Sequence, residues 1–270
     1  MSSPASRYTD GYLCTQHMIH SEIARPDPPE VFIGGQIAAK LSDFCTCGLG
    51  HISPIAEGAS EVLVRGMPAA RIGVKSLDGG VVIWGEPTVL IGSSTFALPS
   101  CITIVGDPGF QSKVLQDMVL IASTKSGKLL LAQIADAGAK GRKVTICQTS
   151  GRSHTDTDPR LEKERQLPGG GVTYNDPRST DGTGTDAKIY YNPAAGDATL
   201  FHETVHANDI THGTADEHVC DNPGGDTLTK TCLCGERKAV GLPPYDDPNK
   251  YPFSENKYRE ERGYLPAKHY

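Results

Sequence analysis

The sequence predicts two domains of different class: an N-terminal all-β unit of stacked hairpins, followed by an α+β unit. Three observations lead there. Short β-branched or aliphatic runs bounded by Gly or Pro fill the chain up to about Ser94. Beyond it, apolar residues recur at helical spacing. The 30 glycines and 19 prolines make up about 18 % of the chain against roughly 12 % in average usage, an excess of turns that excludes a mainly helical bundle.

Taken in order, Glu30–Ile33, Glu61–Val64, Val81–Trp84 and Thr88–Ile91 read as strands. Three stretches form a repeat: Val31–Lys40 (VFIGGQIAAK), Leu63–Ile72 (LVRGMPAARI) and Thr88–Gly92 (TVLIG). Each reads as a strand, a Gly-centred turn and a return strand. Such hairpins bury one face only by stacking on one another, giving a compact, tapered β structure, with a generic β-sandwich as the other reading. Beyond Ser94, Phe110–Ser123 and Gly127–Ala137 are expected helices, and Lys143–Cys147 and Ala187–Tyr191 expected strands. The polar, Gly-, Asp- and Thr-rich stretch Thr149–Gly184 reads as a long surface loop. Ala198–Asp209 reads as a helix with Asp197 as its N-cap. The expected domains are 1–95 and 105–270, with a linker over 96–104.

Several function classes are excluded. A formal net charge of −6 over 270 residues leaves no basic stripe for nucleic acid or an anionic membrane. No apolar run approaches the roughly 18 residues of a membrane span, so no stable membrane insertion is expected. Met1–Asp10 has neither a basic nor an apolar signal region, which points to a protein made in the cytoplasm.

The sharpest chemical signal is His202-Glu203-Thr204-Val205-His206, an HExxH motif on the expected helix. Four-residue spacing places both imidazoles on one helical face, where they can bind one Zn²⁺. Glu203 then points beside the metal, placed to take a proton from water as general base. A catalytic zinc needs a third protein ligand. Glu236, on an expected helix Gly235–Val240, ranks first. His212, which completes H-x₃-H-x₅-H, ranks second, although Asp209 stands where a helix-ending Gly would be; Glu255 ranks third. Asp209 can hold a motif histidine or cap the helix, and Tyr258 is a candidate to stabilise an oxyanion. Among the 8 cysteines, Cys220, Cys232 and Cys234 can close a disulfide loop, stay as thiols, or bind a metal with His218.

The first half resembles the PAAR-repeat proteins that sharpen the spike of the bacterial type VI secretion system. Gly66–Gly73 (GMPAARIG), Gly35–Lys40 (GQIAAK) and Gly80–Gly92 (GVVIWGEPTVLIG) carry the likeness, over roughly residues 10–94. The resemblance implies a cone seated on a trimeric VgrG spike and a second, structural zinc near its apex. Cys14, His20 and Cys47 fall nearest the expected ligand positions, with His17, Cys45 and His51 as near alternatives. Asp78 stands where a histidine is often found. The second half is similar to NleD-like zinc metallopeptidase toxins, through Val105–Asp107, Ile121–Gly127, His202–His206, Glu236–Pro243 and Ser254–Gly263. This likeness implies a zincin-like fold with Glu236 as the acidic third ligand.

Together the two resemblances imply an effector exported without a signal peptide and delivered into the periplasm or cytoplasm of a target cell. There it would cleave a protein substrate, with a cognate immunity protein as a further partner. The competing readings are a spike-tip adaptor without activity, and another zinc hydrolase. The latter, an amidase or nuclease, is suggested by His154, His212 and His218.

Overall fold

The computed structural model describes residues 2–24, 31–92, 94–157, 163–166, 172–221 and 231–268. The chain divides into two compact units: residues 1–98 with 106–119, and 99–105 with 120–270.

The first unit is β-rich. Its largest sheet has five strands in the order Val81–Val82, Gly11–Cys14, Ile19–Ala24, Phe44–Thr46, Ile52–Pro54, all antiparallel. Two of the expected repeats fold as hairpins. Phe32–Ile33 returns as Gln36–Ile37, and Gly58–Val64 returns as Met67–Ala69. The turns need backbone that L side chains avoid: φ is 57° and 81° at Gly34 and Gly35, and 78° at Gly66. The third repeat differs. Among the described residues Glu86–Ile91 has no local return strand, and it pairs instead with Ser3–Ala5. Small side chains allow this layering, with Ala5, Ala38, Ala59 and Ala69 in one core cluster.

The stretch expected as a linker contains the strand Ile102–Val105, whose alternate residues Ile102 and Ile104 are buried. Helix α1 (Pro108–Ser123) starts at a cap from Asp107, whose carboxylate accepts from the Phe110 amide at 2.9 Å. Through Val119 this helix groups with the first unit. There the Ser112 hydroxyl donates to the Ser42 carbonyl at 3.1 Å.

In the second unit a four-stranded sheet has the order Ile102–Val105, Val144–Gln148, Ala187–Tyr191, His154–Thr157. The first three strands are parallel and the last antiparallel. The expected loop over Thr149–Gly184 is thus partly ordered. It supplies the edge strand His154–Thr157 and a hairpin of Lys163–Gln166 with Val172–Asn175. An edge strand needs only one buried face, so the β-branched threonines suffice and no apolar run marks it. Helix α2 (Lys125–Ala139) is capped by Thr124, which accepts from the Gly127 amide. Helix α3 (Asp197–His212) ends at Gly213, with φ 73°. Helix α4 (Cys234–Val240) and helix α5 (Glu255–Arg262), the latter capped by Ser254, complete the unit. No single described helix is long and apolar enough to cross a membrane.

Asp176 anchors the segment entering the strand Ala187–Tyr191. Its buried carboxylate accepts from the Arg178 amide and guanidinium and from the Thr185 hydroxyl. The Arg178 hydrogen bonds, outweighing desolvation, hold its pKa down to about 2 against an ordinary value of 3.8. A depressed carboxylate pKa stabilises the fold above the ordinary value, and that contribution is lost as pH falls through about 2. Asp176→Asn should therefore cost about 2 kcal/mol at neutral pH. In urea titrations the gap to the native protein should close between about pH 4 and pH 2.

Candidate metal centre

The HExxH residues lie on α3, which is buried along most of its length. One turn separates His202 and His206, so their rings share a face with centroids 4.7 Å apart. Glu236, in the first turn of α4, reaches both. Its Oε2 lies 3.1 Å from His202 Nε2 and 3.0 Å from His206 Nε2, and the two imidazole nitrogens are 3.1 Å apart. Three donor atoms thus converge on one point.

Several contacts hold α4 in place. Lys238 forms an ion pair with Asp209 of α3 at 2.9 Å. The Gly235 amide donates to the Asp216 carbonyl at 3.0 Å. A Cβ at Gly235 would come within 2.8 Å of that carbonyl, so the position has no room for a side chain. Cys234 is disulfide-bonded; the side chains of Cys220 and Cys232 lie outside the described residues. Asp209, expected to hold a histidine or cap the helix, instead ties α3 to α4.

Glu255, expected as a third-ranked ligand, sits one layer out. Its Oε2 lies 2.9 Å from His202 Nδ1, and its Oε1 accepts from Arg259 Nε at 2.6 Å. The Nδ1–H donates to Glu255, and Nε2 is the ring nitrogen that faces the convergence point. Burial alone would lower the His202 pKa, but Glu236 and Glu255 outweigh it and push it up to about 10. Burial likewise opposes ionisation of Glu236, yet the two imidazoles hold its carboxyl far below the usual range. Two imidazoles, one carboxylate and an outer carboxylate on one ring are the composition of a zinc site, so the residues fit the metal.

Glu203 is buried beside the cluster, and its Oε2 accepts from the Thr155 hydroxyl at 2.7 Å. It lines an open cleft of about 430 Å³ together with His206, Glu236, Arg152, Ser153 and the edge strand His154–Thr157. A neighbouring hollow of about 330 Å³ is lined by His202, Glu203 and Glu255 and shares Arg152 and Ser153 with the first. Glu203 therefore borders both hollows.

Other expected positions fall elsewhere. His212 is not at the cluster. Without a helix-breaking Gly at Asp209 the helix runs on to Gly213, which leaves His212 about 120° around the helix from His206. Its Nδ1–H donates to the Asn208 carbonyl at 2.9 Å. Tyr258 is not an oxyanion donor at this site. It is fully buried, stacks on Phe201 at 4.5 Å and gives its hydroxyl to Asp197. Asp197 is not the N-cap either. Gly196 occupies that position, and Asp197 receives Tyr258 and Tyr264. Thr155 was not anticipated, because it lies in the polar stretch read as a loop.

In the first unit, donor atoms of Cys14, His17 and His51 lie within 4.8 Å of one another. His17 Nδ1 is 3.1 Å from Cys47 Sγ, and His51 Nδ1 is 3.3 Å from Asp78 Oδ2. His20 is not part of the group. It sits opposite Leu13 within the Ile19–Ala24 strand with its side chain exposed, whereas His17 lies in the tight turn beside the cysteines. Cys45 is buried apart from it, and burial pushes its thiol pKa well up.

Residues 20–83 match the PAAR motif. No curated protein matches the sequence. Among solved structures, the Clostridium botulinum neurotoxin serotype F light chain aligns at 14 % identity and TM-score 0.34, over 50 % of this chain and 45 % of that one. The catalytic domain of the same serotype aligns at 15 % identity and TM-score 0.29, over 58 % and 57 %. The chain spans about half the length of these structures. Residues 99–270, more than half of the chain, match the Peptidase M91 family, described as effector protein, and the protein belongs to that family.

Proposed function

We propose that the second unit is a zinc-dependent endopeptidase and that the PAAR-bearing unit delivers it. The convergence of His202, His206 and Glu236 beside the Glu203 carboxylate carries this reading. A zinc ion held by those three residues would polarise a carbonyl and acidify a water molecule. Glu203 takes the proton from the attacking water at Oε1, the oxygen not engaged by Thr155, and passes it to the departing amide nitrogen. Glu255 fixes the tautomer of His202. The cleft beside the edge strand His154–Thr157 suits an extended substrate, and the two hollows that border Glu203 favour cleavage within a chain over trimming of its ends. Membership of a peptidase family and the acidic cleft argue against the adaptor and nuclease readings.

The first unit caps a trimeric VgrG spike of the type VI system as a β cone. Cys14, His17 and His51 would hold a structural zinc, with Cys47 beside His17 and Asp78 against His51. The target is a protein in the periplasm or cytoplasm of a recipient cell, and a cognate immunity protein protects the producer. The test is metal removal from the full chain. Elemental analysis should find two zinc ions per chain. Dialysis against a chelator should abolish proteolysis of a random-sequence peptide library, and added zinc should restore it. Proteolysis that survives complete zinc removal would sink the reading.

A further inference from the structure

We propose that Thr155 is the positioning residue for Glu203. This rests on the reading of Glu203 as the proton carrier and adds what keeps that carrier in place. A glutamate has three side-chain torsions, and a base one ångström out of place loses much of its rate. The Thr155 hydroxyl lies 2.7 Å from Glu203 Oε2 and 3.0 Å from the Glu203 carbonyl, so it meets both ends of one residue. With Oε2 held, Oε1 is the oxygen left for the reaction.

The hydroxyl is itself immobilised. Thr155 is β-branched and stiff about χ1, and it pairs with Ile189 in the register that joins the edge strand to Ala187–Tyr191. Strand alternation puts Thr157 on the same face, where its hydroxyl accepts from the Asp176 amide at 3.2 Å. The two threonines thus lock one face of the edge strand, and through Thr155 the sheet dictates the orientation of a side chain on α3. The strand that flanks the cleft also sets the base, so a substrate seated along it meets Glu203 at a fixed height.

The test compares full-length, zinc-loaded Thr155→Val, Thr155→Ser and Glu203→Gln with the native protein. The probe is a quenched-fluorescent peptide that the native protein selects from a random library. Thr155→Val keeps the shape and removes the hydroxyl. Its kcat should fall at least tenfold, with KM within about twofold and zinc content unchanged. Thr155→Ser should restore kcat to within about threefold. A crystal structure of metal-free Thr155→Val should show the Glu203 carboxylate displaced from the strand. Should the valine variant fold poorly, Thr155→Ala replaces it in the same comparison with Ser. Native kcat in the Val variant, a loss confined to KM, or equal losses in Val and Ser would each overturn the proposal. If Glu203→Gln is inactive while Thr155→Val is native-like, only the role of Thr155 falls. If Glu203→Gln stays active, the reading of Glu203 falls and takes this one with it.

Discussion

Glu236→Ala will abolish zinc binding in the second unit while leaving its fold intact. Glu236 is the only carboxylate whose oxygen lies within hydrogen-bond distance of the Nε2 atoms of both motif histidines among the described residues. Removing it leaves two imidazoles, one short of a catalytic site. It also removes the negative charge that offsets the cation. Affinity should fall by well over the roughly 10- to 100-fold typical of losing an outer partner. Glu255→Gln supplies that comparison, since Glu255 touches only the far side of the His202 ring. Competition with a chromogenic chelator measures both, and circular dichroism checks the fold. Native zinc affinity in Glu236→Ala would remove Glu236 from the ligand set.

Glu203→Gln will remove activity without removing metal. Glu203 follows His202 by one residue, and its carboxylate is engaged by Thr155 from the edge strand. Glutamine preserves the shape and can still accept from Thr155, but it cannot carry a proton. Peptide hydrolysis should drop by about 10²- to 10⁴-fold, the range of general acid–base catalysis. Zinc content should stay at the native level. The same substitution in the full chain should protect recipient cells from intoxication during contact with a delivering strain. Undiminished killing would show that the hydrolytic chemistry is not the toxic act.

Much of the site was legible because it lies on regular elements. The HExxH spacing on α3 needed only the helical repeat to place two imidazoles together, and the GERKAV segment suggested a second helix with Glu236. The hairpins at Gly34–Gly35 and Gly66 followed from residues that tolerate positive φ. Where reading along the chain went astray, distance in sequence or a missing periodic signal was the cause. Tyr258 was a plausible oxyanion donor until its hydroxyl proved to be taken by Asp197, 61 residues earlier. His17 and His20 both follow Cys14 closely in sequence, but His20 falls in a strand and His17 in the turn before it.

The chemistry of this protein was therefore decided largely by local sequence: which residues can ligate, which can carry a proton, and which turns require glycine. Spacing within one helix is rigid, so residue order alone determines which side chains meet. The roles of Thr155, Glu255 and Asp209 were decided only by tertiary structure. Each acts through a partner on another element, across 48, 53 and 29 residues of chain respectively. Such pairings depend on how sheet and helices pack, and no periodicity of the sequence encodes them.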